Sequence, residues 1–138
     1  AIQCNPNDVV ALGRLSLSMI WAGDPESSFP LIEKASRLNP SRDYHFAKGV
    51  ALFALCRYDE AIELFRLDLE QNPNFLPSAL YMASINGLTG REQESAITVE
   101  VIRRISPTFS LSKDRGSHFK NPKDRRRFID GLRKAGLS

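Results

Sequence analysis

The stretch LNPSRDYHFAKGVALFALCRYDEAIELFRLDLEQNP, residues 38–73, decides the fold. Asn-Pro stands at both ends, at Asn39-Pro40 and Asn72-Pro73, and two apolar runs lie between: Phe46, Val50 and Phe53, then Ala61, Leu64, Phe65 and Leu69. Spacings of three and four put each run on one face of a helix, so the stretch predicts two amphipathic helices. The break between them falls at Leu55-Cys56-Arg57-Tyr58. Proline closes the pair because it has no N–H to donate and its ring crowds the preceding turn.

The same phrase recurs along the chain. Pro6, Pro40, Pro73 and Pro107 are separated by 34, 33 and 34 residues. In the first interval Val9, Leu12, Leu15, Met19 and Ile20 keep the helical period, Ala22-Gly23-Asp24-Pro25 interrupts it, and Leu31, Ile32, Ala35 and Leu38 resume it. Gly23 suits a left-handed turn, Asp24 an N-cap and Pro25 the first helical position. The third interval reads the same way, with Leu80, Met82 and Ala83, a corner at Leu88-Thr89-Gly90-Arg91, then Ile97, Val101 and Ile105. No run alternates with a period of two over the length of a strand, so the expected class is all-α.

Composition agrees with one ordinary globular domain: 138 residues, 42% apolar and 25% charged. No stretch is apolar enough to span a bilayer, and Ala1-Ile2-Gln3-Cys4 lacks the features of a signal peptide. Cys4 and Cys56 are too few for a disulfide framework. These features point to a cytoplasmic segment of a longer protein, with a place beyond an upstream membrane helix left open. The formal charge of +3 conceals an asymmetry. Residues 1–102 hold eight Lys/Arg against thirteen Asp/Glu, a net of −5, whereas residues 103–138 hold eleven against three, a net of +8.

Paired helices on a beat of about 34 residues resemble the tetratricopeptide repeat. Gly49, Tyr58, Ala61, Phe65 and Pro73 carry the likeness in the second unit; Leu12, Leu15, Ser16, Met19, Ser28, Ile32, Ala35 and Pro40 in the first; Met82, Ala83, Gly90, Ser95, Val99 and Pro107 in the third. The resemblance implies an α-α solenoid of antiparallel helix pairs in a right-handed superhelix. Its units are residues 7–40, 41–73 and 74–107, preceded by the tail of an earlier repeat at 1–6 and followed by a basic C-terminal cap at 108–138. Three positions depart from the pattern: Asp68 replaces a small residue between helices, Cys56 replaces the corner glycine, and Pro30 falls where the second helix of unit one must start late or kink. In the cap, Phe109–Lys113 is expected to form a short helical turn. Asn121-Pro122 opens a final helix with Phe128, Ile129, Leu132 and Ala135 on one stripe, and Gly136 ends it.

Chemistry-bearing motifs are sparse. His45 and His118 have no metal-ligand spacing, and Ser117-His118 with Asp114 lacks a nucleophile elbow. Gly87-Leu88-Thr89-Gly90-Arg91 reads as a helix end rather than a phosphate loop, and Cys56 as a packing residue. No catalytic residue, metal or cofactor is assigned.

The resemblance directs attention to the concave face, lined by the first helix of each unit. Carried over by register, its partner-binding positions are Val10, Leu17, Ile20, Trp21, Phe46, Val50, Phe53, Leu80, Ser84 and Leu88, with Gly13, Asp43, Ala54, Pro77 and Gly87 in the same rows. The Lys and Asn that clamp a terminal carboxylate in chaperone-binding members are missing from these rows. An apolar row suits an amphipathic or extended segment of a protein partner, with Trp21, Phe46 and Phe53 as anchors. Cover by an upstream repeat or another copy of the chain is equally compatible. Lys123, Arg125, Arg126, Arg127, Arg133 and Lys134 could meet an anionic surface, but without an aromatic platform a solvated face is favoured over nucleic acid or membrane.

The phrases Leu31–Pro40 and Asp130–Leu137 resemble the C-terminal repeat region of bacterial class III adenylate/guanylate cyclases. That resemblance implies a regulatory or dimerising segment, itself non-catalytic, beside a catalytic domain. The expectation from the sequence is thus a non-catalytic interaction module of a larger bacterial protein, with the cyclase context and the basic-tail contact as alternatives.

Overall fold

The computed structural model describes residues 6–39, 44–111 and 119–138, and the side chains of those residues from Ala11 onward. Seven helices and no strand occur among the described residues: α1 (Pro6–Trp21), α2 (Ser28–Leu38), α3 (His45–Ala54), α4 (Tyr58–Gln71), α5 (Leu76–Leu88), α6 (Glu92–Ile105) and α7 (Pro122–Ala135). Helices α1 and α2, α3 and α4, and α5 and α6 pack as hairpins, and each pair stacks on the next as in an α-helical solenoid.

The corners explain why the hairpins form. Gly23, Cys56 and Gly90 all adopt positive φ, at 100°, 62° and 72°. In each, two amides turn back to the ending helix: Gly23 N to Ile20 O and Asp24 N to Met19 O, Cys56 N to Phe53 O and Arg57 N to Leu52 O, Gly90 N to Gly87 O and Arg91 N to Asn86 O. This Schellman geometry satisfies carbonyls that a helix end leaves orphaned. Cys56 takes the left-handed role that the sequence gives to glycine elsewhere. At the far end of each unit Asn39, Asn72 and Ser106 donate to Ala35 O, Asp68 O and Ile102 O, and the chain leaves the helix there.

Equivalent positions are buried in all three pairs: Ser16, Gly49 and Ala83 in the first helices, then Ser28, Ala61 and Ser95, Ile32, Phe65 and Val99, and Ala35, Asp68 and Ile102 in the second. Gly49 is small for a reason, because a Cβ there would sit 2.9 Å from the Phe65 ring. Asp68 fits its tight position because Ser78 Oγ donates to its Oδ2 at 2.6 Å across the α4–α5 contact.

Two local expectations are refined. Helix α2 begins at Ser28, later than Pro25, after a turn in which Ser28 N donates to Pro25 O and Ser27 N to Asp24 Oδ1. Pro30 therefore occupies the third helical position, where no backbone donor is required, so the helix starts late instead of kinking. Phe109 and Ser110 are not helical; Leu111 N instead donates to Ser138 O, and Lys113 lies outside the described residues.

The last helix has both expected ends. Asn121 Oδ1 accepts from Lys123 N at 2.9 Å, and Gly136 at φ 113° lets Gly136 N and Leu137 N bond Arg133 O and Leu132 O. Its position is less simple. An end cap would stack on α6, whereas α7 packs chiefly along α5 and only lightly on α6. The apolar surface it covers belongs to α5 and the end of α3, where register places the groove positions.

Candidate functional site: the concave groove and its helix

The groove residues converge. Ile20, Val50, Phe53, Leu80 and Ser84 are buried, and Leu17, Trp21, Phe46 and Leu88 are half-buried around them. Gly13, Ala54, Pro77 and Gly87 follow the same helix faces; the Val10 side chain and Asp43 lie outside the described part of the structure. Their cover comes from the same chain, through Phe119 and the stripe Phe128, Leu132 and Leu137, all within one apolar cluster with Phe53 and Tyr81.

Glycine makes the close seating possible. A Cβ on Gly87 would overlap the carbonyl oxygen of Gly131 and lie 2.9 Å from Ala135 N; one on Gly131 would overlap the carbonyl and hydroxyl oxygens of Ser84. With hydrogen at both positions the α5 and α7 backbones touch, and Ser84 Oγ donates to Phe128 O at 2.9 Å. A β-carbon at either site would force the helices apart.

Aromatic rings fill the remainder. Tyr81 stacks on Phe65 at 5.0 Å between centroids and lies 4.7 Å from Phe128 and 5.3 Å from Phe53. Trp21 Nε1 donates to Tyr81 Oη at 3.4 Å, joining the first unit to the third. Burial drives the Tyr81 phenol above its ordinary value, against a smaller downward pull from the Trp21 hydrogen bond. Tyr81 and Phe119 are absent from the groove positions assigned by register. Tyr81 stands one residue after Leu80, and no repeat covers Phe119, so pattern matching had no hold on either.

The six basic residues divide. Arg127 turns inward: its Nη2 donates to Phe53 O and Ala54 O at 3.2 Å and to Asp124 Oδ1 at 3.1 Å, its Nη1 lies 2.9 Å from Cys56 Sγ, and its guanidinium sits over the Phe53 ring. A cation at the carbonyl end of α3 meets the negative end of that helix, and the planar fork reaches several acceptors at once. Arg125 donates twice to Phe119 O, at 3.2 and 2.9 Å. Lys123, Arg126, Arg133 and Lys134 remain exposed on the outer side of α7. Lys120 N donates to Trp21 O at 2.8 Å, tying the start of this segment to the end of α1.

Elsewhere, a cleft of about 530 Å³ between α2 and α3 is lined by Phe29, Ile32, Arg37, Tyr44, His45 and Lys48, among others. Tyr58, beside Cys56 and Arg127, has its phenol pushed up to about 12, first by burial and then by its hydrogen bond with Cys56. Cys56 is exposed. Ser117, His118 and Asp114 lie outside the described residues, and Gly87–Arg91 is the Schellman end of α5. Among the described residues no cluster of three His, Cys, Asp or Glu could hold a metal ion, and no helix is long and apolar enough to cross a membrane.

Comparison with known proteins bears on the central pair. Residues 42–75, which contain α3 and α4, match the family profile of the tetratricopeptide repeat. An all-helical chain with such a unit has the features of a protein-interaction module, since these repeats typically bind protein partners. No curated protein and no solved structure matched the chain significantly, so the likeness to cyclase C-terminal regions has no support there.

Proposed function

We propose that this chain is a non-catalytic interaction module whose concave groove receives an amphipathic helix. One observation carries the reading: a helix is already seated there, with Phe128 against Phe53 and Tyr81, Leu132 buried in the same apolar cluster, and its charged face outward. A groove with buried apolar anchors and a ring of half-buried residues has the layout of helix-in-groove recognition. Trp21, Phe46 and Leu88 at its margin are the surfaces a partner would meet beside α7. A photo-crosslinking residue installed at Leu88, compared with one at Glu63 on the outside of α4, tests the proposal. Partner adducts are expected from position 88 and not from position 63; the reverse pattern would overturn it.

A second reading has its own observation. Lys123, Arg126, Arg133 and Lys134 are exposed, while Arg125 and Arg127 are engaged inside the chain. Four free cations on one helix suit an acidic partner surface, and binding through them would weaken steeply with salt. Salt-independent binding would count against this contact.

A further inference from the structure

We propose that two copies of this chain pair through the outer faces of α6 and α7, each α7 laying its basic side along the acidic side of the other copy's α6. The proposal rests on the reading in which the exposed α7 cations meet an acidic surface, and names that surface.

The acids of the second helices differ in what they face. Those exposed on α4 are matched within the chain: Asp59 by Arg91, Glu60 by Arg57, and Glu63 and Glu70 by Arg66. On α6, Glu92, Glu94 and Glu100 are exposed, and no Lys or Arg stands between positions 92 and 100. Among the described residues no ion pair reaches these three acids, nor Lys123, Arg126, Arg133 or Lys134 on α7. Helices α6 and α7 touch only lightly, so the two unmatched sets do not neutralise each other within one chain. They are complementary in sign, and across two copies they can meet.

The arrangement of the two faces also matches. Glu94, Ile97 and Glu100 follow one side of α6, and Arg126, Ile129 and Arg133 follow one side of α7. At the helical rise, the end charges stand about 9 Å apart on α6 and about 10 Å apart on α7. Ile97 is 63% exposed, and Ile129 is half-buried and outside the apolar core cluster. Each stripe is thus an apolar residue between two like charges, so that Ile97 can cover Ile129 while carboxylates meet guanidinium groups. Single exposed ion pairs contribute little, and the contact depends on several of them around that apolar centre. Asp130 stands between the α7 cations and Arg103 and Arg104 follow the α6 acids, with Arg104 turned to Pro73 O. A two-fold pair makes the contact twice and leaves neither face unmatched.

Sedimentation equilibrium of the full chain at about 50 mM and about 500 mM salt reads the association. A dimer is expected at low salt, weakened about ten-fold or more at high salt. Two charge-reversed chains sharpen the test: Glu94→Lys with Glu100→Lys, and Arg126→Glu with Arg133→Glu. All four positions are exposed, and circular dichroism checks that helix content is retained. Each variant alone should be monomeric, whereas an equimolar mixture should form a one-to-one dimer because acidic and basic faces match again. Monomeric natural chain at low salt, a dimer indifferent to salt or persisting in either variant, or a mixture that stays monomeric would overturn the proposal. Titration with poly-L-glutamate separates the two readings. Salt-sensitive binding of it by a monomeric natural chain would overturn the second copy and leave the acidic-surface reading standing; no binding by that chain would overturn both.

Discussion

Gly87 of α5 and Gly131 of α7 face each other so closely that neither position has room for a β-carbon. The contact lies in the last turn of α5, and Ser84 one turn earlier adds a hydrogen bond to the same crossing. The pair fixes where α7 rests on the solenoid.

Replacing Gly131 with alanine should cost about 3 kcal/mol, the upper part of the usual range for overpacking, because the clash is with backbone. Urea unfolding followed by far-ultraviolet circular dichroism reads the loss. An unchanged midpoint would mean that α7 does not lie on α5 in solution.

Asp68 and Ser78 form a buried polar pair between units two and three. Ser78→Ala alone leaves the carboxylate without this donor and should destabilise by about 1–3 kcal/mol. Asp68→Ala added to Ser78→Ala should recover part of that loss, because it removes the buried carboxylate left without its donor and the equivalent Ala35 and Ile102 are apolar. A double-mutant cycle with zero coupling would exclude the contact.

Arg127 fastens α7 to the end of α3. Arg127→Ala should lower stability by about 2 kcal/mol, as for hydrogen bonds to a charged group, and should speed proteolytic cleavage in residues 119–138 ahead of the rest. Lysine at this position should restore only part, since a single ammonium cannot reproduce the fork. Full rescue by lysine would show that charge alone matters there.

Cys56 holds a left-handed conformation at a corner where units one and three use glycine. Such a conformation costs a side-chain-bearing residue about 1 kcal/mol. Cys56→Gly should therefore raise the thermal midpoint by a few degrees, reduced by the lost contact with Arg127. A fall in the midpoint would indicate that the thiol contact outweighs the backbone strain.

Tyr81 gives a pH signature. Its phenol is raised by burial, so the folded state keeps the proton to higher pH than the unfolded chain does. The associated stability is complete below the unfolded value of about 10 and declines as pH rises above it. Chemical unfolding at pH 8 and at pH 11 should show this decline, and Tyr81→Phe should reduce it, leaving the smaller part that comes from the raised Tyr58 phenol. A stability that stays level across that window in the natural chain would contradict the burial of Tyr81.

Much of the local structure was legible in the residues. Asn-Pro phrases fixed the ends of the helix pairs, and a period of 3.6 identified the buried faces of Ile32 and Phe65; in the third unit it picked Ile97, which is 63% exposed, whereas the buried Val99 came from the repeat resemblance. Asn121 and Gly136 marked the limits of α7 correctly because caps depend on a side chain's own hydrogen bond or on a single residue's φ. Helix α2 was harder to delimit. Pro25 and Pro30 both suit the first turn, and the turn through Ser28 decides between them.

The candidate site was only half legible. Register placed Phe53, Leu80 and Ser84 on one face, yet the residues opposite them come from beyond the repeats, where no pattern links Phe119 or Gly131 to a partner. Six basic residues looked alike in sequence; tertiary placement turned Arg127 inward, tied the exposed Arg125 to Phe119 O and left the other four on the outer side of α7.

By itself, then, the sequence determined the helices, their pairing and the apolar character of the concave rows, because caps, corners and amphipathic faces are set by residues a few positions apart. Only the tertiary structure decided that α7 lies along α5, with Phe128 against Phe53 and Tyr81, instead of stacking on α6. That choice turns on two backbones meeting at Gly87 and Gly131, 44 positions apart, and on Arg127 finding the end of α3. Contacts of that kind depend on shape and distance in the assembled chain, which no local spacing encodes.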